Sequence, residues 1–287
     1  NSGGTIMFKN NFFQGWYFKC CNNEHTIAFI AAYHISNNHK TASLQIITDD
    51  AVINIPFDSL SYREDSLYIS LGRCIFSENG IRLNIHTDTL SVHGVLKFRN
   101  LSPVSYDIMG PFKIVPFMQC RHTVISMKHR IDGKININGE QCIFNNGTGY
   151  IEGDSGRSFP EQYLWTQCFF RNGSIMLSAA DIPMSFFNFT GIIGIVMMGE
   201  HEYRIATYLG AIIKDIGSNY LVIQQGDFQI TAVLMQKNSY PLYAPDNGIM
   251  SRTIRESASC KAYYQFLCKD KILCEFSSNS ASFEIEY

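Results

Sequence analysis

The stretch GYIEGDSGRSFPEQYLWTQC, residues 149–168, gathers acid, base and indole more densely than any other part of the chain. Glu152 and Asp154 stand two apart, Arg157 follows a small-residue turn, and Tyr163, Trp165 and Gln167 come after a proline. On a strand, positions two apart share a face, so the two acids lie with their backbones about 7 Å apart. Carboxylates that close inside a cavity push their proton affinities apart, one staying ionised and the other keeping its proton. Arg157 favours the ionised form of whichever acid it reaches, so an unequal pair follows if it reaches only one. Such a pair is a proton donor near neutral pH, with Asp154, beside the turn, as donor and Glu152 and Arg157 as its tuners. A hairpin with a polar tip is the plain structural alternative.

The run QYLWTQCFF (162–170) alternates, which puts Tyr163, Trp165 and Gln167 on one face. Aromatic faces attract a cation through the ring quadrupole, and Gln167 offers an amide to orient a polar group. The same rings serve equally as plain core aromatics. Further candidates lie elsewhere. Trp16 and Tyr17 sit in the FFQGWYFKC strand, where Trp16 and Lys19 fall on opposite faces and Gly15 admits a close backbone approach. His122, after the GPFKIVPF segment, is either a proton shuttle or a hydrogen-bonded loop histidine. Asp181, in LSAADIP, reads as a strand-end acid supporting the site from behind. No nucleophile–base–acid order, phosphate-cradling glycine loop or metal-ligand spacing accompanies them, so neither a cofactor nor a metal is expected.

Strands must position these groups. Alternation of apolar and polar residues runs through HTIAFIAAY (25–33), GIRLNIH (80–86), LSVHGVLKF (90–98), EYRIATYLGAII (202–213) and YLVIQQGDFQITAVLM (220–235). Turn pairs such as Asn22-Asn23, Asn79-Gly80, Asp132-Gly133, Asn145-Asn146-Gly147, Asn172-Gly173 and Gly226-Asp227 punctuate them. This rhythm predicts an all-β protein of antiparallel hairpins, with weak helical signals only at 58–66 and 111–120. The best seam, at Asn145-Asn146-Gly147, divides the chain into β lobes 1–145 and 146–287, with a ligand site where they meet. One continuous β unit is the alternative.

Composition narrows the class. The 287 residues are 46% hydrophobic and 17% charged, enough for a large core. With 23 Lys+Arg against 25 Asp+Glu, the net charge of -2 excludes the basic footprint of a nucleic-acid binder. The 21 Phe and 15 Tyr suit strand packing and an apolar small-molecule cavity. Nine cysteines without a CxxC pair, and no secretory apolar segment, fit a reduced, cytoplasmic setting. The most apolar stretch, FFNFTGIIGIVMM (186–198), is too short to span a bilayer as a helix, which leaves peripheral membrane contact open.

FFQGWYFKC (12–20), GPFKIVPFMQCRH (110–122), GYIEGDSGRSFPEQYLWTQC (149–168), YRIATYLGA (203–211) and NGIMSRTIRES (247–257) carry a resemblance. In this order, over nearly the whole chain, they resemble the tocopherol cyclase family. The resemblance implies two lipocalin-like β lobes, akin to carotenoid hydratases. It also implies cofactor-free closure of a chromanol ring, in which a phenol oxygen adds across a trisubstituted alkene. That reaction needs a Brønsted acid to protonate the alkene, aromatic walls for the tertiary cation and an oxygen to trap it. The block Glu152-Gly153-Asp154-Ser155-Gly156 departs from the family's Glu-Lys-Asp-Trp-Gly in lacking the lysine and the indole. Two rivals follow: a hydratase that gives the cation to water, and a binder of apolar molecules without catalysis.

Overall fold

A computed structural model describes residues 11–63, 65–115, 118–183, 188–236 and 240–286. The alternating runs form two antiparallel sheets that curl into lipocalin-like lobes. The first sheet contains β1 (Asn11–Cys21), β2 (Thr26–Ser36), β3 (His39–Ile47), β4 (Val52–Phe57), β5 (Leu60–Tyr62), β6 (Tyr68–Leu71), β7 (Cys74–Ser77), β8 (Gly80–His86), β9 (Ser91–Arg99), β10 (Cys120–Ile137) and β11 (Glu140–Gly156). The second contains β12 (Tyr163–Phe170), β13 (Gly173–Pro183), β14 (Asn188–Met198), β15 (His201–Ala206), β16 (Ile212–Gly217), β17 (Tyr220–Gln225), β18 (Phe228–Gln236), β19 (Tyr240–Asp246), β20 (Ile249–Cys268) and β21 (Lys271–Glu286).

Both sheets follow one plan. Their orders are β4-β3-β2-β1-β11-β10-β9-β8-β7-β6-β5 and β15-β14-β13-β12-β21-β20-β18-β17-β16, with β19 paired to β20. The first and last strands of each lobe therefore pair at its centre, and strands consecutive in the chain form its edges. Helical structure among the described residues is confined to 3-10 turns at Gly110–Ile114 and Thr207–Leu209. Of the two weak helical signals, 58–66 contains β5 and 111–120 keeps only the first of these turns. No helix among the described residues is long and apolar enough to cross a membrane. The apolar stretch 186–198 is β14 from Asn188 onward, its first two residues lying outside the described ones.

Two sequence signals for turns mark bulges instead. Asp132-Gly133 and Asn145-Asn146-Gly147 lie inside β10 and β11, whose pairing shifts register between Ile131 and Gly133. Gly133 there has φ +140° and Asn146 φ 59°, and the Asn146 amide donates to Asp132 Oδ1 at 3.0 Å. A bulge needs the same left-handed residues as a turn, hence the shared signature. The passage between sheets falls after β11, over 157–162, rather than at 145/146.

Strand parity sorts the core into three. On β1, Trp16, Phe18 and Cys20 point into the first lobe, while Tyr17 joins the packing between lobes. On β12, Leu164 and Cys168 fill the second lobe, while Tyr163 and Trp165 face the first. Central strands are thus buried on both faces, and each large apolar side chain they hide contributes about 1.5–3 kcal/mol. Lys19, fully buried, crosses the seam: its Nζ donates to the Ser280 carbonyl at 2.7 Å and stands 5.6 Å from the Phe169 ring centroid.

Gly156 closes β11 with φ +157°, and a Cβ there would meet the Gln119 carbonyl oxygen at 2.2 Å. Gly156→Ala is therefore expected to destabilise the protein by more than about 1 kcal/mol, read as a lower midpoint in chemical denaturation. An unchanged midpoint would show that β10 and β11 separate freely here.

Candidate active site

The paired central strands of the two lobes face each other, and register decides which side chains meet. Asp154 of β11 lies between Gly15 of β1 and His122 of β10, and Glu152 lies between Tyr17 and Val124. Across the seam, Trp165 of β12 is opposite Glu284 of β21. A cavity of about 160 Å³ opens between the lobes, lined by Glu152, Asp154 and His122 on one side and Tyr163, Trp165 and Glu284 on the other. Its remaining wall is largely apolar, with Phe13, Ile30, Met109, Phe159 and Ile192 among its residues.

His122 is clasped by both acids. Its Nδ1–H donates to Asp154 Oδ1 at 2.9 Å, and its Nε2 lies 3.1 Å from Glu152 Oε2, off the line of a hydrogen bond. Burial opposes charge on the ring, yet the Asp154 and Glu152 carboxylates, with the bond to Asp154, raise its pKa well above the usual 6.5. The imidazole is accordingly a cation between two acids. Glu152, 5% exposed, also accepts from the Tyr150 hydroxyl at 2.5 Å and from Trp165 Nε1 at 3.2 Å. Its Oε2 is thus held by two donors and by the charge of His122. Asp154 is more open to the cavity, its side chain 21% exposed. Cys120 sits beside it with Sγ 3.7 Å from Oδ1, and burial plus the Asp154 charge push its thiol well up, so it is a neutral donor rather than a nucleophile.

A second acid faces this cluster. Tyr163 donates to Glu284 Oε2 at 2.8 Å, and burial together with the Glu284 charge keeps the phenol protonated. The Tyr17 ring meets Trp165 edge-on at 5.6 Å, and its hydroxyl shares a hydrogen bond of 3.1 Å with Ser282.

Eight of the residues singled out in the sequence line the cavity: Glu152, Asp154, Trp165, Tyr163, Trp16, Tyr17, His122 and Asp181. Trp16 does so from the core side, tilted against Tyr62 at 5.4 Å, and Asp181 accepts from the Thr190 hydroxyl at 2.6 Å. Two do not join them. Arg157 is exposed just past the end of β11 and makes no ion pair among the described residues; the cation beside the acids is His122. Gln167 is fully buried two residues beyond Trp165 and does not line the cavity. His122 is on a strand, not a loop. Its bond to Asp154 spans 32 positions, a distance that no local pattern reveals. Glu284, Tyr150 and Cys120 were also unmarked, although the alternation of FEIE around Glu284 carries a usable signal.

The same register brings together three side chains able to ligate a metal, a grouping that sequence spacing does not show. Ligand atoms of His122, Glu152 and Asp154 lie within 4.8 Å of one another. Both ring nitrogens of His122 already face the carboxylates, so a metal and the imidazolium are competing occupants of one place.

No family model matches the chain, and no curated protein matches its sequence significantly. Solved structures do match in shape. CghA crystallised with Sch210972 superposes with TM-score 0.61 at 6% identity, over 96% of this chain and 89% of CghA. A second structure of CghA gives TM-score 0.60 at 5% identity, over 96% and 88%. Kievitone hydratase from Nectria haematococca gives TM-score 0.54 at 9% identity, again over 96% and 88%. At such identities the likeness establishes the shared two-lobed fold.

Proposed function

We propose that the protein is a cofactor-free acid catalyst of the tocopherol cyclase type, acting on a prenylated phenol or similar isoprenoid. The observation that carries this reading is the His122 imidazolium held between Asp154 and Glu152 on the wall of an apolar cavity. Alkene protonation needs an acid whose conjugate base is stabilised in place. Asp154 is the donor in the form of the cluster that carries one further proton, in which His122 stays an imidazolium beside the Glu152 carboxylate; once the Asp154 proton has gone to the less substituted alkene carbon, His122 stands 2.9 Å from the carboxylate left behind. Glu152, anchored by Tyr150 and Trp165, keeps His122 charged and oriented. Trp165 and Tyr163 offer ring faces to the tertiary cation. The phenol oxygen then closes the ring and its proton returns to Asp154, so nothing is consumed.

Hydration of the same alkene is the second reading, supported by the fold shared with kievitone hydratase and by Glu284, a second acid able to orient water. The product assigns the reaction: incubation with a geranylated hydroquinone yields a chromanol if the phenol traps the cation and a tertiary alcohol if water does. Neither product would leave a binding protein.

Trp165→Ala should weaken both ligand affinity and turnover, each by roughly tenfold or more, because it removes cavity wall, cation shielding and the N–H bond to Glu152 together. Trp165→Phe should keep most of the affinity and lose turnover. Affinity measured by quenching of the remaining indole, beside a product assay, separates the two; retention of both affinity and turnover by Trp165→Phe would reduce Trp165 to wall alone.

A further inference from the structure

β2 delivers to the cavity one polar side chain that the acid cluster does not use. His34 is 3% exposed, lines the cavity, and has no hydrogen-bond partner on either ring nitrogen among the described residues. Burial lowers its pKa from 6.5 to about 4, so the ring is neutral, with one N–H to donate and one nitrogen to accept. A buried imidazole without partners carries a desolvation cost that leucine would avoid in the same wall.

Register places it relative to the acids. Gly15 of β1 stands between Asp154 of β11 and Ala32 of β2, and His34 is the next residue of β2 on that face. Two strand spacings and two residues separate His34 from Asp154, about 12 Å between Cα atoms. The floor between them is small: a Cβ on Gly15 would meet nothing nearer than Ala32 Cβ at 3.5 Å. The acid cluster and His34 thus stand at opposite ends of a trough floored by Gly15 and Ala32. Among the described residues the cavity wall includes four acids, Glu152, Asp154, Asp181 and Glu284, against the single cation His122, and neither lysine nor arginine, so it disfavours an anionic ligand.

We propose that His34 is a specificity-determining pole of the cavity, which hydrogen-bonds an uncharged oxygen, hydroxyl or carbonyl, at the end of the ligand remote from the alkene that Asp154 protonates. It selects ligands carrying such an oxygen and fixes which end meets the acid. The inference rests on the reading of the cavity as an apolar-ligand site.

The test compares 2-geranylhydroquinone with 2-geranylphenol, which keeps the ring-closing hydroxyl and lacks the distal one. The parent protein should bind the hydroquinone roughly tenfold tighter or better. His34→Leu should bind both probes alike, at the weaker level, while melting no lower than the parent. That combination separates recognition from support of the fold. His34→Gln, which keeps a donor and an acceptor, should recover part of the preference and serves as the second variant if the leucine protein does not fold. Ring-nitrogen NMR should show His34 shifted by the hydroquinone yet still neutral. An unchanged preference in His34→Leu, with both probes still bound, would overturn the role of His34, as would protonation of its ring on binding. Binding of neither probe by the parent would overturn the cavity reading and this inference with it.

Discussion

Asp154→Asn is expected to reduce turnover of a prenylated hydroquinone by about 10²–10⁴-fold while leaving ligand affinity nearly unchanged. The amide keeps the shape and the contact with His122, and a neutral acid and an amide differ modestly in polarity. What disappears is the transferable proton. The loss should therefore fall on kcat rather than on binding. If Asp154→Asn turns over normally, the proton comes from elsewhere, and Glu284, on the opposite wall, is the next donor to remove. If the parent has no turnover to lose, the protein is a binder, and Trp165 is the residue whose truncation matters.

His122→Gln is the second large effect, and it appears in stability. The imidazolium neutralises Asp154 at 2.9 Å and Glu152 at 3.1 Å, with side chains only 21% and 6% exposed. Removing the cation leaves two carboxylates close together in a poorly solvated site, a change that costs roughly 3 kcal/mol. The pH dependence should change as well. The folded state holds the His122 proton more tightly than the unfolded chain does, so its contribution is complete below about pH 6.5 and is lost as pH rises through the raised folded-state value. The parent should accordingly weaken toward alkaline pH, beyond what other groups cause. His122→Gln should lack that slope. Denaturant titrations of both proteins from about pH 5 to about pH 9 read this directly. Parallel curves would mean that His122 is not the cation of the cluster.

These two residues also mark how far the sequence could be read. Period-2 runs such as GIRLNIH (80–86) and hairpin signals such as Asn79-Gly80 and Asn172-Gly173 lie where strands and turns occur, because both are local properties of the chain. Glu152 and Asp154 share a face for the same reason. Local reasoning failed where pairing takes over. Asp132-Gly133 and Asn145-Asn146-Gly147 look like turns but are bulges, since left-handed φ values serve both. Arg157 is nearest to the acids in the chain yet lies outside the cavity, whereas His122 reaches them through the β10–β11 ladder. His34 carries no signal in the sequence, because strand register and burial, not spacing, place it at the cavity. The glycine at 153, where the cyclase block has lysine, also has a spatial meaning: a Cβ there would press within 3.2 Å of Trp16 Cδ1, so an indole from β1 occupies the neighbouring space.

The central claim is that the cavity delivers a proton to an alkene, and isotopic labelling tests it most directly. In heavy water Asp154 exchanges its proton for a deuteron, so turnover of 2-geranylhydroquinone should place a single deuterium on the carbon next to the newly bonded one. The label should appear in chromanol or tertiary alcohol alike, and Asp154→Asn should abolish it. Product formed without carbon-bound deuterium, or labelled equally by Asp154→Asn, would contradict protonation by this cluster.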